Sequence, residues 1–235
     1  VLNGDANANI LKGGTGNDTI NSGAGDDKIY GGAGDDTIIQ SGSGTQHYDG
    51  GEGTDTYKLI PDKAVFANVD FDIKVDLTTG FSGLKDNPDH VLNDTLTNIE
   101  NVDFSDVIWD LVLNGDANAN ILKGGTGDDT VHGGVGNDEI EGGAGDDVLY
   151  GEGGINDIGG GAGNDIIYVG DGSTNINGDE GDDIIYGSPA DDGDVKGDEG
   201  NDTIYGGAGD DILDGDEGND TIYGEAGDDY LEGNE

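Results

Sequence analysis

Over most of this chain large apolar residues recur every nine positions. Each sits in a short phrase that is otherwise glycine, aspartate and small polar residues. The stretch Asn201–Asp214, NDTIYGGAGDDILD, holds two such phrases, and near copies surround Asp18, Asp36, Asp129, Asp147 and Asp220. The unit is G-G-x-G-(N/D)-D-x-U-x, where U is Ile, Leu or Val. The triplet x-U-x suits a very short strand, with U on one face and its neighbours on the other. The six glycine-rich residues suit a tight turn whose backbone angles a Cβ disfavours. Repetition at a fixed short period predicts a solenoid. Two units would close one flattened coil, and successive coils would stack as parallel strands roughly 4.8 Å apart.

The copies fall into two blocks. The first opens with a loose copy, Gly4–Lys12, followed by Gly13–Asn21, Ser22–Tyr30 and Gly31–Ile39; after one extra residue come Ser41–Asp49 and Gly50–Lys58. The second starts at Gly115 and gives thirteen copies through Glu232, with one extra residue at Gly187. The phrase VLNGDANANILKGGTG stands at residues 1–16 and again at 112–127, so a unit of 111 residues has been duplicated. Residues 59–111 lack the nonapeptide. Val69–Leu77 alternates strictly and reads as a half-buried strand; Thr78-Thr79-Gly80 reads as the turn after it, and Asp94–Val102 as a second strand region. Phe66, Phe71, Phe81, Phe104 and Trp109 lie here; His90 and Trp109 are read as packing residues. The expected organisation is a first roll block at 1–58, a β-rich insertion at 59–111 that caps one roll and begins the next, and a longer second block at 112–235.

Composition narrows the chemistry. The 235 residues include 49 glycines and 53 acidic residues against 8 lysines and no arginine, a formal net charge of -45. That balance excludes nucleic acid and anionic membrane surfaces as partners; the natural partner of so much carboxylate is a cation. There is no cysteine, and the three histidines are far apart, which excludes disulfides and argues against zinc. No apolar run reaches membrane-span length. The opening inside a repeat, without methionine, and the repeat-like last residues suggest a piece of a longer chain.

One apolar side chain per nine residues makes a thin core, so something else must hold the turns. Stacked aspartates repel unless a cation sits between them, and an all-oxygen donor set fits Ca2+. Calcium is then part of the fold, binding as the chain folds. Position six tests the two-copy coil. In even copies it is Asp18, Asp36 and Asp55, then Asp129, Asp147, Asp165, Asp183, Asp202 and Asp220. In odd copies it is Asn9, Asp27 and Gln46, then Asn120, Asp138, Asn156, Thr174, Gly193, Asp211 and Asp229. Every failure is odd, as expected if odd and even copies lie on opposite sides of a two-copy coil. Calcium sites are expected between turns: an even edge with Asp18/Asp36, Asp36/Asp55 and a run from Asp129 to Asp220, and an odd edge with Asp211/Asp229 and weaker positions at Asp27 and Asp138.

Nineteen copies in register closely resemble the RTX family, also called hemolysin-type calcium-binding repeats. The resemblance implies an all-β, right-handed parallel β-roll that binds several Ca2+ ions, with carbonyls of the glycine-rich turns completing the coordination. It also implies export through a type I secretion route and folding outside the cell.

The outward faces differ. Tyr150, Tyr168, Tyr186, Tyr205 and Tyr223 should form one row, with Val148, Ile166 and Ile184 beside it. This row is either a strand-stabilising ladder or a contact surface for another copy, the insertion or a glycan. No nucleophile–base pair or phosphate loop stands apart from the repeats. The expected function is a non-enzymatic, extracellular, calcium-binding structural segment of a cell-surface, matrix or adhesive protein. The alternatives are a secretion and folding module of an exported enzyme or toxin, and a carbohydrate-binding module working through the tyrosine face. An ice-binding roll is disfavoured, because position three is Thr only at Thr15 and Thr126.

Overall fold

The computed structural model describes residues 1–60, 73–84, 93–171 and 175–234. Among these, all regular structure is β. The strands form a 12-stranded sheet and a 13-stranded sheet, and in the repeat blocks the chain alternates between them. Each repeat strand pairs in parallel with the strand two copies on: Leu149 faces Ile167, Ile167 faces Ile185 and Ile140 faces Ile158. The coil therefore holds two nonapeptides, and the fold is the parallel β-solenoid that the periodicity predicts.

The U residues of both sheets point inward and form a narrow core. Ile20, Ile29, Ile38, Leu122, Val131, Ile140, Leu149, Ile167 and Ile185 are fully buried. The turn geometry explains the glycines at position two. Gly32 has a φ of 122°, and a Cβ there would lie 2.1 Å from the Gly14 carbonyl oxygen of the preceding turn. Where acids replace glycine at this position the stack still imposes the left-handed region: Asp179, Asp198 and Asp216 have φ of 72°, 67° and 60°.

Both sheets run through the segment between the blocks. In the 12-stranded sheet a single strand, Asn101–Asp103, lies between Thr56–Leu59 and Ile121–Lys123. In the 13-stranded sheet three strands, Asn93–Thr97, Phe81–Leu84 and Ile73–Asp76, lie between His47–Glu52 and Leu111–Asn114. Phe81–Leu84 runs antiparallel to both its neighbours. The expected strand at Val69–Leu77 is described only as Ile73–Asp76; Val69 to Asp72, Phe66 and His90 lie outside the described residues. The expected single strand region at Asp94–Val102 is two strands in opposite sheets, with Asn98 between them at a φ of 50°. Trp109 packs partly buried against the core.

This segment corrects one expectation. The even copies do not share one edge. The even strands Thr19–Asn21, Thr37–Gln40 and Thr56–Leu59 lie in the 12-stranded sheet, whereas the even strands of the second block, such as Val148–Tyr150, lie in the 13-stranded sheet. Between Thr56–Leu59 and Ile121–Lys123 the chain visits the 13-stranded sheet, the 12-stranded sheet and the 13-stranded sheet again. An odd number of sheet visits swaps the sides. The duplicated phrase makes the swap visible: Leu2–Asn3 pairs in one sheet and the identical Leu113–Asn114 in the other.

Two additional strands widen one sheet by about 10 Å relative to the other. The largest core side chains gather at this joint. Tyr48 and Tyr57 occupy U positions, and with Phe104 they form a fully buried file with ring centroids 5.3 Å and 5.7 Å apart. Their hydroxyls are satisfied locally: Tyr57 donates to Gln40 and lies 3.3 Å from Ser82 Oγ, and Tyr48 reaches Ser22 at 3.4 Å. We predict that Tyr57→Ala destabilises the folded chain by about 3–5 kcal/mol, the range for deleting a buried aromatic, measured by urea unfolding in saturating calcium. A loss below about 1 kcal/mol would show that the aromatic file does not fill the joint.

Candidate metal centre

The aspartate at position six ends each turn and begins each strand. Its backbone is fixed by the ladder, because the next residue's amide in the following coil bonds to its carbonyl, as Thr37 N–H does to Asp18 O at 2.8 Å. Its side chain is fixed by a second bond running the other way. The N–H of Asp147 donates to Asp165 Oδ1, that of Asp165 to Asp183 Oδ1, and that of Asp129 to Asp147 Oδ1, each at 2.7 Å. Asp183 donates to Asp202 at 2.8 Å and Asp202 to Asp220 at 3.0 Å. On the other edge Asp18 donates to Asp36, and Asp36 to Asp55, at 2.7 Å, and Asp211 donates to Asp229 at 3.2 Å. Asp27 and Asp138 receive the same bond from Asn9 and Asn120.

Position five carries a further ladder that the sequence reading did not anticipate. Asp146 N–H donates back to Asp128 Oδ1 and Asn164 N–H to Asp146 Oδ1, at 3.0 Å and 2.8 Å. Asp182 N–H donates to Asn164 Oδ1 at 2.9 Å. Only an acceptor oxygen is needed, which accounts for Asn and Asp being interchangeable there.

The position-six bond uses one carboxylate oxygen. The other, Oδ2, is buried without a hydrogen-bond partner in Asp27, Asp36, Asp55, Asp94, Asp138, Asp147, Asp165, Asp183, Asp202 and Asp211. Buried polar atoms are nearly always paired, and a lone one costs about 1–3 kcal/mol, more if charged. Here the same atom is left over in ten aspartates, on both edges of the roll. At eight of these the orphan oxygen shares its space with a backbone carbonyl of the next coil. A Cβ placed on Gly160 would lie 2.4 Å from Asp165 Oδ2 and 2.6 Å from Gly178 O; one on Gly178 would lie 2.3 Å from Asp183 Oδ2 and 2.6 Å from Gly197 O. Position one is glycine because oxygens converge there. Among the described residues no three His, Cys, Asp or Glu side chains surround one point; the donor set is carboxylate plus carbonyl, which suits a hard cation with flexible oxygen coordination.

The family profile of the RTX calcium-binding nonapeptide repeat matches residues 3–38 and, in overlapping stretches, 114–235. The chain belongs to this family. Comparison with curated proteins returns no match. Its fold is thus an RTX β-roll, and its repeats are of a calcium-binding kind.

At Gln46 and Asn156, where the repeat departs from Asp, a side-chain amide bonds a carbonyl of the glycine-rich turn. Gln46 Oε1 accepts from Asp27 N–H at 2.8 Å while its Nε2 donates to Gly25 O at 2.7 Å. Asn156 Oδ1 accepts from Asp138 N–H at 2.9 Å while its Nδ2 donates to Gly151 O at 2.8 Å. Thr174 lies outside the described residues. Gly193 is not a failed copy: Asp192 fills position six, its N–H donating to Asp211 Oδ1 at 2.9 Å, so the extra residue of this turn is Gly193 rather than Gly187. Both oxygens of Asp192 are bonded by Ser188, and Asp129 accepts from Leu111 and Gly125, so neither leaves an orphan. Asp18, Asp220 and Asp229 are only half-buried. Two ladder members were missed: Asp94 accepts from Gln46 N–H at 2.7 Å and Glu100 from Asp55 N–H at 2.8 Å. The phrases Asp94-Thr95-Leu96-Thr97 and Glu100-Asn101-Val102-Asp103 carry the acid-x-U-x half of the repeat, a signal hidden by the missing glycine turn.

The tyrosine row is a continuous ring stack. His132, Tyr150, Tyr168, Tyr186, Tyr205 and Tyr223 lie face to face, with centroids 4.4 to 5.2 Å apart and planes within 10°. Val148, Ile166 and Ile184 pair in register beside it and are partly exposed. His132 also bonds Glu152 at 2.9 Å.

Burial, reinforced by neighbouring aspartates, raises the carboxyls of the ladder: Asp147 to about 7, Asp183 to about 8, and Asp202 to about 6. Burial alone raises Asp94 to about 7. A folded pKa above the unfolded value of 3.8 means the metal-free fold binds more protons than the unfolded chain, so its stability is full below about pH 4 and is lost as pH rises through 6 to 8. We therefore predict that the calcium-depleted chain shows more strand signal by circular dichroism at about pH 5 than at about pH 8. Because protons compete with the cation, the calcium midpoint should rise as pH falls over the same range. A depleted chain better folded at the higher pH would contradict the assignment of the buried carboxyls.

Proposed function

We propose that this chain is a calcium-locked structural rod, a non-enzymatic segment of a secreted cell-surface, matrix or adhesive protein. The observation that carries this reading is the continuity of both sheets through the segment between the blocks, with each first-block ladder extended into it by one acid, Asp94 or Glu100. In this reading Asp18, Asp36, Asp55, Asp138, Asp211 and Asp229 line one edge, and Asp27, Asp129, Asp147, Asp165, Asp183, Asp202 and Asp220 the other. Bound calcium would neutralise the stacked carboxylates and give their free oxygens a partner. The chain's own residues do the rest: the position-six amides orient each carboxylate, the position-one glycines keep the space open, and Gln46 and Asn156 close the turns that lack the acid.

The ring geometry favours the ladder over a glycan platform. Ring faces that would receive a sugar are covered by the next ring, and only edges and hydroxyls point outward. Such stacking contributes roughly 0.5–1.5 kcal/mol per pair and stiffens the sheet along its axis.

A rod that bears load only with calcium has a mechanical signature. Stretched as single molecules, the chain is expected to resist unfolding in calcium and to extend with little resistance in chelator. Equal unfolding forces in the two conditions, or specific binding to a glycan array, would argue against a calcium-locked structural role.

A further inference from the structure

We infer that the segment between the repeat blocks completes a calcium site of its own, built from Asp55, the Asn98 carbonyl and Glu100. The inference rests on the calcium-binding reading of the roll. Asp55 ends the last nonapeptide turn of the first block, and the coil above it is not a repeat. Yet the coil above reproduces each contact of the regular sites. Asn101, Val102 and Asp103 pair in parallel with Thr56, Tyr57 and Lys58. Asn101 N–H donates to Asp55 O at 3.0 Å, as Thr56 N–H does to Asp36 O at 2.9 Å. Asp55 N–H donates to Glu100 Oε2 at 2.8 Å, as Asp36 N–H does to Asp55 Oδ1 at 2.7 Å.

The space for the cation is also reproduced. Asp55 is fully buried and its Oδ2 has no hydrogen-bond partner. A Cβ on Gly50 would lie 2.4 Å from that oxygen and 2.0 Å from Asn98 O; in the regular turn below, a Cβ on Gly31 would lie 2.2 Å from Asp36 Oδ2 and 2.4 Å from Gly50 O. Asn98 thus supplies the carbonyl that position one supplies elsewhere. It is held there by a left-handed φ of 50° and by its side-chain amide, which donates to Asp49 Oδ1 at 2.8 Å. Three residues, Asn98 to Glu100, do the work of a six-residue turn. The expected ligand is one Ca2+ ion that fastens the first block to the inserted coil.

Native mass spectrometry of the whole chain in calcium counts ions per molecule. Glu100→Gln keeps an acceptor for Asp55 N–H but removes the charge, and it should carry one ion fewer than the natural chain. Glu100→Asp should retain the full count. Asp165→Asn, in the second block, reports on the underlying reading and should also lose ions. If Asp165→Asn loses ions and Glu100→Gln does not, the junction site is overturned while the roll's calcium sites stand. If neither variant loses ions, the calcium reading of the ladder itself fails. Should Glu100→Gln not fold in calcium while Glu100→Asp folds with the full count, the charge at this point is required, as the site demands.

Discussion

A buried carboxylate can be accommodated when both oxygens are bonded, and in most buried aspartates of this roll one of them is not. The backbone of the neighbouring coil satisfies Oδ1 at each turn, and the geometry that does so turns Oδ2 into a closed space shared with a glycine Cα and a carbonyl oxygen. Ten such oxygens recur among the described residues. Each is a local defect in a purely protein structure, and on the proposed reading each would gain a partner when a cation binds. The glycine pattern follows from the same constraint. Position one is mostly glycine, which leaves the space, and position two mostly turns left-handed, which brings the next coil into contact.

The edges are not uniform, and the variation has a chemical logic. Gln46 and Asn156 each use an amide nitrogen to bond a backbone carbonyl of a glycine-rich turn. From Asp147 to Asp202 one edge carries an uninterrupted run of orphan oxygens, so on the proposed reading the fold would lean most heavily on calcium there. The tyrosine stack lies on the sheet whose strands follow that run, so side-chain stacking reinforces the coils that carry the unpaired oxygens.

Much of this was legible in the sequence because a nine-residue period leaves little freedom. The strand positions, the inward U residues, the two-copy coil and the carboxylate rows all follow from repetition. The non-repeat segment was harder. Three inserted sheet visits exchange the two edges, and no local pattern encodes a count of crossings. Asp94 and Glu100 escaped notice because the glycine half of their repeat is absent, although the acid-x-U-x half is plain in retrospect. Asp192 was displaced by one residue because an extra glycine can be assigned to either end of a turn. The large U residues Tyr48 and Tyr57 could have signalled the joint, since a wider core needs larger side chains.

The dependence of the fold on calcium is tested most directly by far-UV circular dichroism of the whole chain near neutral pH, first with calcium and then with excess EGTA. The buried, half-bonded carboxylates predict a strand signal that collapses on chelation and returns when calcium is restored. A strand signal unchanged in EGTA would mean that the core and the backbone ladders hold the roll by themselves, and that the orphan oxygens are tolerated without a cation.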